Sequence, residues 1–237
     1  EATPVPTVAP TPVPTAPPPA SRPTPVPAPD GATTVLVLGT GGEGSELVSI
    51  RLADVVEASR SVDVKSLSPS LTVVVGDGEK ELRAVYQEML SEAGGDESAA
   101  AAAMAGVLAD NFGVTVDERV TFRESVIASM IDSLGGIDVT VTTAFGDMPA
   151  GAQHLDGAAA WRYATASSGG APVSERRIQA LGALRKRVFS LGTLLKIPQL
   201  AGEFIGSGAV RTDMSVAEVL GLVMAMKDVP ASRVTFR

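Results

Sequence analysis

The alternation of apolar and polar residues divides the chain into short strands and amphipathic helices. Thr33 to Leu38 (TTVLVL) is a continuous apolar run that reads as a buried strand. After Gly39 to Gly44, the residues Val48, Ile50 and Leu52 alternate with polar neighbours, so a second strand and a hairpin are expected. A helical reading of the same stretch, through Val48, Leu52 and Val55, stays open at this point. Ser61 to Leu67 reads as a third strand, continued by Thr72 to Val75. Glu79 to Glu92 places Leu82, Val85, Tyr86 and Met89 on one helical face and stops at Gly94-Gly95.

Asp96 or Ser98 caps the next helix, an alanine run that ends at Asn111-Phe112-Gly113. Val116 to Phe122 is extended. Glu124 to Leu134 is helical, with Val126, Ile127, Met130, Ile131 and Leu134 inward, and Gly135-Gly136 turns into the strand Ile137 to Val141. Leu155 opens an Ala-rich helix with Trp161 and Tyr163, then a small-residue loop, Ala164 to Pro172, and a helix with Arg176, Arg177, Arg185, Lys186 and Arg187. An apolar helix from Leu191 to Ile205, a turn at Gly206 to Gly208, a helix Val216 to Met226 capped by Asp213 or Ser215, and an edge strand Val234 to Phe236 complete the pattern. Strands and helices are interspersed, so the class is α/β, or α+β, with a central mixed sheet packed by helices.

Composition adds a boundary. Residues 1–29 hold twelve of the seventeen prolines in TPVPT-like repeats, without hydrophobic periodicity. Residues 1–30 are therefore expected to be a disordered stalk or linker, reaching roughly 90 Å in polyproline form, with one domain over residues 31–237. Rigid Pro/Thr stalks hold domains away from a wall or membrane. The formal charge is -8, which argues against a nucleic-acid partner. There is no Cys, which excludes disulfides, thiolate metal sites and a Cys nucleophile. The one histidine, His154, is expected to be a solvated surface residue. The chain starts at Glu1 rather than Met, which is compatible with a trimmed export signal or anchor.

Two stretches carry candidate chemistry. Gly39-Thr40-Gly41-Gly42-Glu43-Gly44 is formally G-x-G-x-x-G, a dinucleotide-binding fingerprint if a helix follows it. The loop before the basic helix, with Arg176 and Arg177 in the first turn, is a seat for an anionic ligand. Trp161 and Tyr163 read as core or pocket wall, and Asp132, Asp138 and Asp156 as cap or turn acids.

The order of four stretches resembles the LytR–CpsA–Psr family, also called cell-envelope-related transcriptional attenuator domains. They are Val35 to Gly39 with Ser45-Glu46-Leu47; Asn111 to Val114 through Ile131-Asp132-Ser133-Leu134-Gly135-Gly136-Ile137-Asp138-Val139; Leu155-Asp156-Gly157 with Ala160 and Tyr163; and Arg211 to Ser215. The resemblance spans about residues 33 to 226. It implies an extracytoplasmic domain that moves glycopolymers from a polyprenyl-pyrophosphate carrier to the cell wall. In such domains arginines hold the pyrophosphate, acidic residues hold Mg²⁺, and an apolar tunnel takes the lipid.

On this resemblance the phosphate-binding candidates are Arg176, Arg177 and Gln179, and the metal candidate is Glu46, which replaces the first-strand Asp. Val85, Met89, Leu184 and Leu195 are expected to line the lipid pocket. The family's Arg-Asp segment falls on Ser66 to Ser70. Its two arginines after the helix Tyr fall on Thr165 and Ser167, its next acid on Ser174, and its later Arg-Gln pair on Ala180 and Leu181. Phosphoryl transfer depends on several positioned charges. The expectation is therefore a catalytically degenerate envelope module that binds polyprenyl lipid or glycopolymer, or serves a structural role. Two alternatives are an active Mg²⁺-dependent phosphotransferase using Arg176, Arg177, Glu46 and Glu175, and a Rossmann-type nucleotide-binding protein using Gly39 to Gly44.

Overall fold

The computed structural model describes residues 28–41, 46–167, 169–230 and 233–236; the Pro-rich stalk expected over residues 1–30 lies almost wholly outside them. The chain forms β1 (Thr33–Gly41), β2 (Glu46–Val56), β3 (Ser61–Leu67), β4 (Thr72–Val75) and β5 (Gly78–Glu81), then α1 (Leu82–Glu92) and α2 (Glu97–Phe112). Next come β6 (Glu118–Arg123), α3 (Glu124–Ser133), β7 (Ile137–Val141), β8 (Gly151–Leu155), α4 (Gly157–Thr165) and α5 (Val173–Val188). The remainder is α6 (Leu191–Leu194), α7 (Ile197–Gly206), β9 (Val210–Thr212), α8 (Val216–Lys227) and β10 (Val234–Phe236). The class is the expected mixed α/β.

Six strands form one mixed sheet in the order β10-β3-β2-β1-β6-β9. β1 pairs antiparallel with β2 and parallel with β6. Since β2 follows the glycine run as an antiparallel strand, the helix that a dinucleotide fingerprint needs is missing from that place. The Rossmann alternative is corrected on this ground.

Side chains alternate across the sheet. On one face, Leu36, Leu38, Ile50 and Leu52 pack with Leu82, Val85, Tyr86, Met104 and Leu108 of α1 and α2 into the largest core. Asp96 caps α2 by accepting from the backbone N–H groups of Ser98 and Ala99. Asn111 fastens the end of that helix to β4, accepting from Val74 N–H at 2.8 Å and donating to Val74 O at 2.9 Å. Buried Asp54 is matched by Thr34 Oγ1 at 2.8 Å and Lys65 Nζ at 2.7 Å.

The other face carries half-buried Val37, Ser49, Arg51, Ala53, Val120 and Phe122. At its β3 edge Val55 and Val62 pack with Val229 and with Leu222 of α8. A separate core joins α3, α4 and α5 to the β7–β8 hairpin through Ile131, Ile137, Val139, Leu155, Tyr163 and Ala180. Gly157 admits α4 against α3, because a Cβ there would stand 1.9 Å from the Ala128 carbonyl oxygen.

Several boundaries differ from expectation. Glu79 to Glu81 belong to the β4–β5 hairpin, so α1 begins at Leu82. The helix expected over Leu191 to Ile205 is broken at Leu195-Lys196, and Pro198 sits at the start of α7, where its missing N–H costs no hydrogen bond. Met130, expected inward, is exposed. Ser215 caps α8 in a capping box with Glu218, while Asp213 instead pairs with Arg119.

Candidate functional site

β1 and β6 run parallel, and their carboxyl ends meet the start of β2. Ligands of open α/β sheets bind beyond such strand ends. At this end Gly39 faces Ser49, and a Cβ on Gly39 would lie 2.2 Å from Ser49 Oγ and 3.4 Å from the Phe122 ring. The close approach requires glycine and leaves a small-residue floor.

Arg51 lies two residues further along β2. Its Nη1 donates to Ser49 Oγ at 3.2 Å, and among the described residues it makes no ion pair. Burial lowers the pKa of the Arg51 guanidinium, the nearby charge of Arg177 lowers it further, and Glu124 at the start of α3 opposes both. Arg177 is exposed in the first turns of α5 and, among the described residues, has no hydrogen bond or ion pair. Glu46 is exposed at the start of β2, opposite Gly41.

The neighbouring arginine is placed differently. Arg176 is 1% exposed. Its Nε donates to Ala171 O at 3.0 Å, Nη1 to Tyr163 O at 2.7 Å, and Nη2 to Ala166 O. The guanidinium also stacks 4.3 Å from the Phe145 ring centroid. These bonds turn Arg176 into the peg that holds the loop between α4 and α5, so the expectation of a ligand contact there is corrected. Gln179 is occupied as well, accepting from Tyr163 Oη at 2.6 Å and donating to Glu175 at 3.2 Å. Burial raises the Tyr163 pKa, against the charge of Arg176.

Thr165 is exposed and donates to Trp161 O at 2.7 Å; Ser167 and Ser174 are exposed on either side of the same loop. Within the basic segment, Arg185 donates to Lys227 O at 2.9 Å and Arg187 to Leu134 O at 2.6 Å. Both are therefore tied to helix ends rather than freely solvated. His154 is exposed and paired with Asp138 at 2.7 Å. Asp132 accepts from Gly157 N–H at 2.7 Å and Asp156 from Ala159 N–H at 2.8 Å, both at the start of α4.

The four residues expected in a lipid pocket do not converge. Val85 and Met89 belong to the closed core with α2, Leu184 packs in the α3–α5 core, and Leu195 is 85% exposed. The reason is that Tyr86, Met104 and Leu108 fill the space above that face of the sheet. The open apolar layer is on the opposite side. α8 carries Val219, Leu220, Leu222, Val223 and Met224, and none of its residues is buried.

Mg²⁺, which the family resemblance brings in, needs near-octahedral oxygen coordination. Among the described residues no three carboxylates or imidazoles converge, so any Mg²⁺ here would rest on a single carboxylate such as Glu46 together with oxygens of a bound phosphate. Among those residues, too, no helix is long and apolar enough to cross a membrane.

Sequence reasoning missed Arg51. The available signal was the lone cationic residue in the strand run ELVSIRLADVV.

This geometry defines a mixed-sheet α/β domain with one sealed sheet face, one open face and a cationic end. The LytR_cpsA_psr family profile matches residues 24–237, and the chain belongs to that family. The fold agrees with solved structures. Bacillus subtilis TagV is 21% identical with a TM-score of 0.62, covering 88% of this chain and 84% of TagV. The Lin1025 protein of Listeria innocua is 16% identical with a TM-score of 0.66, covering 88% of this chain and 82% of that one. TagT bound to LI-WTA is 15% identical with a TM-score of 0.59, covering 88% of this chain and 78% of TagT. No protein of curated function matches the sequence. Family membership supports a role related to cell-envelope glycopolymers.

Proposed function

We propose that this domain binds the polyprenyl-linked, phosphate-bearing end of an envelope glycopolymer outside the membrane and does not transfer it. The observation that carries this reading is an apolar helix, α8, that buries none of its residues, taken together with a hydroxyl-bearing loop between α4 and α5. α8 presents apolar side chains without burying one. At the loop between α4 and α5 stand Thr165, Ser167 and Ser174, with Arg177 the exposed cation. The likeness to TagT, solved with LI-WTA, supports the glycopolymer class.

Phosphoryl transfer depends on neutralising and positioning the migrating charge. Each charge-assisted hydrogen bond removed costs about 1.5–3 kcal/mol, and each 1.36 kcal/mol is about tenfold in rate. Loss of several such contacts leaves affinity for lipid without turnover. The Pro-rich segment would then hold a binding module at a distance from its anchor.

The test is a thermal shift and equilibrium titration with a polyprenyl phosphate in detergent, beside a transfer assay with a polyprenyl-pyrophosphate sugar. The expected result is a concentration-dependent rise in Tm and no product, with or without Mg²⁺ or Mn²⁺. Metal-dependent turnover abolished by Arg177→Ala would establish an active transferase instead.

A further inference from the structure

The carboxyl ends of α3 and α5 enclose a second polar hollow. A pocket of about 210 Å³ opens there, lined by Leu134 at the end of α3, Arg187 and Ser190 at the end of α5, Thr193 of α6 and Lys196 before α7. Arg177 and Arg187 stand on the same helix about 15 Å apart along its axis, so this pocket is separate from the loop between α4 and α5.

Glycine makes the pocket possible. Gly135 follows α3 with φ +78°, and a Cβ there would stand 2.4 Å from Arg187 Nη2. With that space clear, Arg187 donates from Nε to Leu134 O at 2.6 Å and from Nη2 to Gly135 O at 3.2 Å. Among the described residues its Nη1 has no hydrogen-bond partner and the guanidinium has no ion pair. Asp138, whose carboxylate feels the charge of Arg187, is bonded to His154 at 2.7 Å instead. Lys196 is exposed at the other rim, and its ammonium has no partner among the described residues. Thr193 is 6% exposed and accepts from Ser190 Oγ at 2.9 Å, so its own O–H is left without an acceptor among those residues. A hydroxyl buried to that degree ordinarily has one. Nη1, the ammonium and the hydroxyl are thus three unspent donors on one pocket, and no carboxylate lines it.

We infer that this pocket binds a small phosphate monoester. Such a group carries close to two negative charges and three terminal oxygens. Arg187 and Lys196 match the charge, and donors from α5, α6 and the link to α7 match the oxygens. A carboxylate offers one charge and two oxygens, and would leave a donor unused. Leu134 and Leu200 give the carbon chain of the ester an apolar wall. Arg187 is already held by two carbonyls, so it loses little freedom on binding. Lys196 closes the anion in from the rim. The inference is independent of the ligand proposed above.

The experiment is isothermal titration of the full chain with glycerol 3-phosphate, inorganic phosphate and acetate at one ionic strength. Glycerol 3-phosphate should bind, inorganic phosphate more weakly for want of a carbon chain, and acetate not at all. K196Q should weaken glycerol 3-phosphate about tenfold or more with Tm unchanged, and T193V several-fold. K186Q, beside Arg187 in sequence but outside the pocket lining, should leave affinity as it is. Dependence on Lys196 and Thr193 assigns the binding to this pocket rather than to the loop that carries Arg177. Absence of glycerol 3-phosphate binding, equal affinity for acetate, tighter binding of inorganic phosphate, or parental affinity in K196Q overturns the site. So does a loss in K186Q as large as that in K196Q, which would reveal diffuse attraction to a basic surface. If T193V does not fold, K196Q against K186Q decides.

Discussion

The two faces of the central sheet come from the same strands and reach opposite ends. Under α1 and α2, Leu36, Leu38, Ile50 and Leu52 are each at most 3% exposed. On the reverse, Val37, Ala53 and Val120 remain half-buried and α8 buries none of its residues, although α8 is as apolar as any helix in the chain. Hydrophobic sequence therefore sets what a residue can do, and the packing partner decides whether it does so. The alanines of α2 allow close approach, and the larger Met104, Leu108 and Tyr86 fill what remains. On the reverse face Val55 and Val62 are closed over by Val229 and Leu222 only at the β3 edge, while Val37, Ala53 and Val120 in the middle keep part of their surface.

Substitutions can break or sharpen that contrast. Leu36→Ala, on the sealed face, should cost about 2–5 kcal/mol in urea denaturation. Val219→Ala in α8 should cost less than about 1 kcal/mol. Equal losses would mean that both faces are closed. The arginine pair offers a second contrast within one helical turn. Arg176→Met should destabilise by about 3 kcal/mol, since it leaves three loop carbonyls without their donor. Arg177→Met should change stability by no more than about 0.5 kcal/mol while weakening anion binding.

The smallest effect concerns pH. Burial first, and the charge of Glu97 second, push Tyr86 up to about 12 from its ordinary 10.0. A raised folded-state pKa means its contribution is complete below pH 10.0 and is lost as pH rises toward 12. Ultraviolet titration should therefore show one tyrosine ionising only near the upper end of that range. Ionisation of Tyr86 at its ordinary value in the folded protein would show that the sealed face admits water.

Most elements were legible because their patterns are local. Val48, Ile50 and Leu52 announced β2, and Asp96 announced the start of α2. The β4–β5 hairpin was hidden because Glu79, Lys80 and Glu81 are good helix formers, although Gly76-Asp77 between strands is a turn signal. β8 is mostly polar and gave little period to read. The site was less legible for a geometric reason. Adjacent helical residues point about 100° apart, so Arg176 and Arg177 look equivalent in sequence yet one is inside and one outside. The spacing of Arg176 to Ala180 and Ala183 places it on the apolar stripe, which in hindsight marks it as the inner one. The lipid-pocket expectation failed because choosing between the faces of a sheet depends on which helices cover it.

The order of strands in the sheet also shapes the route to the folded state. β1, β2 and β3 are neighbours in sequence, whereas Thr34 meets Asp117 across 83 positions and Asp63 meets Thr235 across 172. Closing such long loops carries an entropic cost before any contact rewards it, and long-range pairing slows folding. The three-stranded meander is thus the early platform, β6 completes the middle of the sheet, and β10 docks last at the outer edge. Native-state hydrogen exchange should follow the same sequence in reverse, with amides of β10 exchanging long before those of β1.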